Sequence, residues 1–410
     1  MERVRVHAQH YWLSTLMGSQ QMTVTQQQIG ERVRVARERF HLSQQELSEF
    51  TDLSVEDIAA IEGGERPIGA REMGRLAYAV GRKTWEFTED RFVDDGALSA
   101  LFRAGPTRID KSQLSCSLQE GIAYALQFAL LEQQVGAERR NLLREAFDLP
   151  EPGDVGEAIE QGEAVAAAER IRLNVGDQRL ERLPHLFETQ GVGSVAVELP
   201  EHVCGMTLFD ARFGAFILFN AQHARTRRRF ALAHEYGHVL MDRHRLASLS
   251  TMGSVDDLVE VRANAFAAAL LMPAAGVQDT LDMDRVGARI EGGGKPVGML
   301  DIAAVAQAFD VSRRSALRRA RQLGLVGDPE YQTLLAAELR GDGAPYSTML
   351  GLFNAPDGDS RRECRGRMVG LALEAFRLNQ ISHRKLIGIA GAIGVDGETV
   401  ERIVDVLGLE

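Results

Sequence analysis

Cysteine is nearly missing from this chain. There are three in 410 residues, Cys116, Cys204 and Cys364, far apart and odd in number. That argues against a disulfide framework and against cysteine zinc ligation, and it fits a reducing cytoplasm. Long apolar runs are missing too. No stretch approaches the ~20 residues needed to span a bilayer, and the first twenty residues lack a basic end followed by an apolar core, so neither a membrane partner nor a signal peptide is expected. An excess of positive charge is also absent. The net charge is −11, so any DNA contact must be local rather than a property of the whole chain. No repeat of fixed period occurs. The rest is ordinary globular composition, 45% hydrophobic and 26% charged, with length enough for two or three domains.

What is present is chemistry at a fixed spacing. Residues 234 to 238 read His-Glu-Tyr-Gly-His. On a helix, positions i and i+4 lie on one face, so His234 and His238 can each aim a ring nitrogen at a single cation. Glu235 sits too far round to complete the same triangle, but near enough to reach a water beside that cation. This is the pattern of two zinc ligands plus a general base. The competing reading is an amphipathic helix with two partly exposed histidines. Phe230, Leu232, Val239, Leu240 and Met241 favour a buried helix instead.

Catalytic zinc takes three protein ligands and keeps a position for water. Glu260 is the candidate third ligand. It opens Glu-Val-Arg-Ala-Asn-Ala-Phe-Ala-Ala-Ala-Leu-Leu-Met-Pro273, an alanine- and leucine-rich run that favours helix and ends at proline. Asn264 lies one turn further on the same face, placed to accept a hydrogen bond from the far nitrogen of a ligand histidine. A surface carboxylate beside Asp256 and Asp257 is the other reading of Glu260. Phe266, Leu270 and Leu271 argue for burial.

The histidine helix behind an arginine-rich turn, followed by E-x-x-A-N-x-F-A-A-x-L-L-M-P, resembles the ImmA/IrrE metallopeptidases. Ala215 to Asn220 is similar to the strand ending in Asn that precedes the helix in that family. The resemblance is specific over about residues 165 to 275. It implies a zincin-like fold, a zinc site at His234, His238 and Glu260, and Glu235 as catalytic base. It also implies cleavage of a helix-turn-helix repressor, or a regulatory role for the chain itself. Two imidazoles and a carboxylate would also accept manganese or iron. A second oxyanion donor is needed. Arg225, Arg227, Arg228, Arg229, Tyr236 and His244 are all candidates; the three arginines at the helix start oppose its dipole and are expected to be solvated, the alternative being that they hold substrate. His202 and His223 read as loop histidines, His223 as a reserve ligand.

Near the start, Ile29 to Arg39 predicts a helix. Leu42 to Phe50 predicts a second, with Ser43 as N-cap. After a turn at 51 to 53, Ser54 to Glu62 predicts a third, capped by Ser54 and ended by Gly63 and Gly64. This layout is similar to the Xre (Cro/CI-type) helix-turn-helix domain. The resemblance implies DNA contacts from Gln44, Ser54, Val55, Glu56, Asp57 and Arg66. Two carboxylates there would face the electronegative groove, and from Gln28 to Trp85 nine Lys and Arg meet ten Asp and Glu. A protein partner for this module therefore stays open.

The expected fold is α+β and mostly helical. Residues 1–27 form a flexible N-terminus, 28–88 the helix-turn-helix domain and 89–164 a helical linker, strongest over Leu118 to Gln134 and Ala137 to Phe147. Residues 165–290 form the zincin-like domain, with helices at Ala164 to Leu173 and Leu180 to Gln190. Its short strands fall at Val195 to Leu199, Met206 to Phe209 and Ala215 to Phe219. Residues 291–410 are helical and include a second helix-turn-helix-like unit at Leu300 to Arg321. Its five arginines suit either a nucleic-acid contact or a solvated basic face. Three functions fit: a DNA-binding regulator fused to a zinc endopeptidase that cuts a repressor-type protein; a metal-binding transcription factor without turnover; and an antitoxin-type protein binder. A homodimer and a cytoplasmic location are compatible with all three.

Overall fold

The computed structural model describes residues 24–39, 43–51, 53–79, 84–88, 111–137, 147, 149–210, 213–242, 247–251, 257–281, 296–349, 360–392 and 395–407. The chain divides into two compact units, Met1–Asp95 and Gly96–Glu410.

The first unit is helical: α1 Gln26–Arg39, α2 Gln44–Thr51, α3 Val55–Glu62 and α4 Ala70–Ala79, then a 3-10 turn at Thr84–Phe87. Val33, Ala36, Leu47, Ile58, Ile61, Leu76 and Phe87 form its core. Gly30 lets α1 cross α3, because a Cβ there would sit 2.2 Å from the Ile61 carbonyl oxygen. Ser54 caps α3 by accepting from the Asp57 N–H, and Gly63 ends it. Gln26 and Gln27, expected within a flexible start running through residue 27, belong to α1. Residues 1–23 lie outside the described set.

In the second unit the order is α5 Lys111–Gln134, α6 Val155–Leu173, α7 Leu183–Thr189, β1 Gly193–Val197, β2 Val203–Asp210, β3 Gly214–Asn220, α8 Arg225–Met241, β4 Ala247–Thr251, α9 Leu258–Leu271 and α10 Ala274–Thr280. Then follow α11 Met299–Phe309, α12 Arg313–Gln322, α13 Asp328–Arg340, α14 Ala344–Met349, α15 Ser360–Arg377, α16 His383–Ala392 and α17 Gly397–Leu407. The helix expected from Ala164 begins at Val155, where Asp154 supplies an N-cap, so residues 164 and 165 lie inside one continuous helix. Most of the helix expected at Ala137 to Phe147 lies outside the described residues.

The strands form one mixed sheet in the order β1-β3-β2-β4. β1 runs parallel to β3 and the other pairs are antiparallel. Three strands were expected. β4 escaped notice because Ala-Ser-Leu-Ser-Thr has no apolar alternation, and its extended form comes from pairing with β2. β3 is covered on both faces, which is why it reads Phe-Ile-Leu-Phe without alternation. Phe216 meets Tyr124 and Phe128 of α5, while Ile217 and Phe219 join the core with Leu232, Ala233 and Tyr236 of α8. α8 thus lies between the sheet and α9, and α9 is backed by α6. At that last contact Gly162 is required, since a Cβ would fall 2.4 Å from the Arg262 carbonyl oxygen.

α11 and α12 meet at Asp310, which takes the left-handed conformation (φ 54°), and Ser312 caps α12. The expected basic face is only partly solvated. Arg319 is buried against the Met272 carbonyl and Glu163, and Arg313 pairs with Glu338 at 2.8 Å. Arg314 and Arg318 stay exposed. Among the described residues, no single helix is long and apolar enough to cross a membrane.

Candidate metal centre

Three side chains far apart in sequence converge between α8 and α9. His234 Nε2 lies 3.1 Å from His238 Nε2 and 3.2 Å from Glu260 Oε2, and His238 Nε2 lies 3.2 Å from Glu260 Oε1. All three residues are buried. Zinc held at about 2.0–2.1 Å by a tetrahedral donor set needs donors about 3.3 Å apart, the edge of such a tetrahedron. The separation of the two Nε2 atoms, and of each from one of the two Glu260 oxygens, is close to that length, one ligand atom from each residue lies within 4.8 Å of the others, and the donor chemistry is two imidazoles and a carboxylate, so the residues fit a metal ion.

The far side of each histidine is anchored. His234 Nδ1 faces Asn264 Oδ1 at 3.1 Å, the partner chosen from the spacing of α9. His238 Nδ1 faces Asp242 Oδ2 at 2.7 Å, and Arg262 donates to the other Asp242 oxygen. Sequence reasoning missed both Asp242 and Arg262. The signal available was an Asp one turn after His238, on the same face.

Electrostatics follow from this packing. Burial opposes charge on His238, but hydrogen bonds to Asp242 and Glu260 outweigh it and raise its pKa to about 10. Burial pushes Glu260 up, yet hydrogen bonds and charge from His234 and His238 hold it well below the usual carboxylate range. Burial likewise opposes ionisation of Asp242, and His238 and Arg262 reverse that.

Glu235 turns toward the sheet. It is fully buried, and Thr207 Oγ1 on β2 donates to its Oε2 at 2.8 Å. Opposite, Gly205 leaves the room it needs: a Cβ there would lie 2.9 Å from Glu235 Cγ. Burial raises the pKa of Glu235, against the pull of both histidines and of hydrogen bonds from Ser250 and Thr207.

The oxyanion candidates are largely occupied elsewhere. Tyr236 stacks on Phe187 at 3.9 Å between ring centroids, and its hydroxyl donates to Glu169 at 2.5 Å, on the side away from the histidines. The arginines expected to be solvated are mostly not. Arg228 donates to the His223 carbonyl at 2.7 Å. Arg229 donates to the Leu180, Glu181 and Asp310 carbonyls, and Arg225 pairs with Asp310 at 2.6 Å. Buried carbonyls need donors, and the Asp310 carboxylate offsets the unfavourable charge at the head of α8. Arg227 is half-buried and its guanidinium donates to Cys204 Sγ at 3.6 Å. His244 lies outside the described residues. His223 is no reserve ligand: its Nε2 meets the Glu201 carbonyl at 2.9 Å, and burial lowers its pKa. His202 is exposed.

In the first unit, the candidate DNA contacts are not all available. Gln44 donates to Glu62 at 2.9 Å, beside the buried Arg37–Glu62 pair. Arg66 pairs with Asp57 at 3.2 Å and with Glu72 at 2.7 Å. Ser54 and Glu56 are exposed and Val55 is half-buried.

Comparison with curated proteins returned no match. Residues 198–321 match the family described as the IrrE N-terminal-like domain, Peptidase_M78. The matched stretch contains β2, β3, α8 and α9, and with them all three converging side chains and Glu235. The segment that builds this centre is therefore similar to the ImmA/IrrE metallopeptidases, and it carries a buried His-His-Glu group suited to a metal.

Proposed function

We propose that this chain is a transcriptional regulator that joins a DNA-binding N-terminal unit to a zinc-dependent endopeptidase acting on a repressor-type regulatory protein. The observation that carries the peptidase half is the His234–His238–Glu260 triangle with Glu235 adjacent in sequence. Zinc bound there would supply Lewis acidity and make water acidic near neutral pH. Manganese or iron would use the same donors.

The chain's own residues have distinct parts. Asn264 orients His234. Thr207 and the space above Gly205 hold the Glu235 carboxylate in place. Glu235 takes the proton of the attacking water and returns it to the leaving amine, and its raised pKa suits both directions. β4 bonds β2 on one side, and among the described residues no strand lies on its other side. An extended peptide adds along that edge.

In the N-terminal unit, α2 and α3 pack around a short turn, and α3 is the candidate reading helix. Gln44 and Arg66 are committed to carboxylates, so base contacts fall first on Ser54, Val55 and Glu56, with Glu56 accepting from a cytosine amine. A homodimer would present two such helices to paired half-sites. A salt-titrated gel shift with its own promoter DNA tests this part. No salt-dependent shift would favour a protein partner for the unit instead.

The peptidase half is tested by incubating the metal-loaded protein with candidate repressors. One clean cut is expected from the wild type and none from Glu235→Gln, with metal still bound. A second reading, a metal-binding regulator without turnover, draws on the complete burial of Glu235. It is favoured if Glu235→Gln leaves regulation in cells unchanged.

A further inference from the structure

We infer that Asp242 and Arg262 are positioning residues for the metal centre, a role that rests on the His234–His238–Glu260 group holding a metal ion. Asp242 follows His238 by one turn of α8. Arg262 follows Glu260 by two residues on α9. Each therefore belongs to the same rigid element as a ligand, and the two bond to each other across the helix interface.

The chain of contacts extends further. Asp242 Oδ2 accepts from His238 Nδ1 at 2.7 Å and Oδ1 accepts from Arg262. The other terminal nitrogen of Arg262 donates to Gln161 Oε1 on α6 at 2.8 Å and to the Pro150 carbonyl at 3.1 Å. The Asp242 and Arg262 side chains are each only 1% exposed. Three helices are thus joined through a dry polar line that starts at a ligand ring.

Two effects follow. A carboxylate held by a guanidinium only accepts hydrogen bonds, so His238 keeps a proton on Nδ1, and Nε2 is left as the nitrogen that would face a metal ion. The same bond sets the spacing of α8 from α9 where it matters, 3.2 Å between His238 Nε2 and Glu260 Oε1. His234 differs, because its anchor is the neutral amide of Asn264. Arg262 is needed because a carboxylate buried this deeply without a partner would be strongly destabilising.

Zn2+ and Co2+ titrations of the full chain against a competing chelator, with the visible Co2+ spectrum, test this. The wild type is expected to bind one ion per chain. Asp242→Asn can present its amide N–H to the ring and leave Nδ1 without its proton. It is expected to bind about 10–100-fold more weakly, with shifted Co2+ bands. Arg262→Lys keeps a charge beside Asp242 and is expected to stay within a few-fold of the wild type, whereas Arg262→Met follows Asp242→Asn. Asp242→Glu retains the charge at a displaced position, so a folded variant is at hand if the asparagine variant does not fold. It should show shifted bands as well. Folded Asp242 variants with wild-type affinity and spectrum would overturn the positioning role while leaving the metal site intact. A wild type that binds neither ion would overturn both together.

Discussion

Loading this centre with metal at neutral pH should expel a proton, and the structure says from where. His238 is held protonated up to about pH 10 by Asp242 and Glu260, against the cost of its burial. Glu260 is already ionised, because the two imidazoles hold its pKa well below the usual range. A metal ion needs the Nε2 lone pair of His238, so binding displaces that proton. At pH 7 the ring lies on the protonated side of that raised pKa, so each ion bound releases one proton. The expected consequence is a dissociation constant that falls about tenfold per pH unit between 6 and 8. Chelator competition at several pH values, corrected for chelator protonation, measures that slope. Calorimetry in buffers of different ionisation heat counts the released proton directly. The sign for stability follows from the same group. A raised histidine pKa stabilises the metal-free fold fully below about pH 6.5, and that stabilisation is lost as pH rises through about 10. A pH-independent affinity with no proton released would refute the reasoning.

Other outcomes follow from single contacts. Glu235→Gln should lower peptide hydrolysis by at least about 100-fold while the metal content, read by emission spectroscopy, stays at the wild-type level. Gly205→Ala places a methyl 2.9 Å from Glu235 Cγ and 3.1 Å from the Leu218 carbonyl oxygen, so turnover should fall with metal affinity retained. Unchanged turnover would mean that Glu235 need not occupy its place. Glu188 is raised to about 8 by burial, with Arg367 opposing and Glu132 reinforcing. The folded state then holds this proton more tightly than the unfolded chain, so stability is lost as pH rises from about 4.5 through about 8, by about 3 to 4 kcal/mol between pH 5 and 8. Glu188→Gln should therefore melt higher than the wild type at pH 8 and about equally at pH 5, as thermal scans at both pH values would show.

Much of this centre was legible as text. The i, i+4 rule aligned His234 with His238, the helical run after Glu260 placed Asn264 one turn on, and the caps at Ser54 and Ser312 marked where helices start. These are local rules acting within one element. What they could not supply was the meeting of elements. β4 has no apolar pattern and exists through its pairing with β2. Arg228 and Arg229 read as solvated charges, yet packing draws them onto buried carbonyls. Gln44 and Arg66 looked available on the helices that carry them, and the fold gives both to carboxylates.

The sequence by itself determined which helix carries the donors, because periodicity fixes the face on which side chains of one helix emerge. Only the tertiary structure decided that Glu260 comes within 3.2 Å of both imidazoles, that Thr207 holds Glu235, and that Asp242 and Arg262 join the two ligand helices. The reason is physical. Distances along one helix follow from bond geometry, whereas distances between elements follow from how many separate surfaces pack together, and no short stretch of chain contains that.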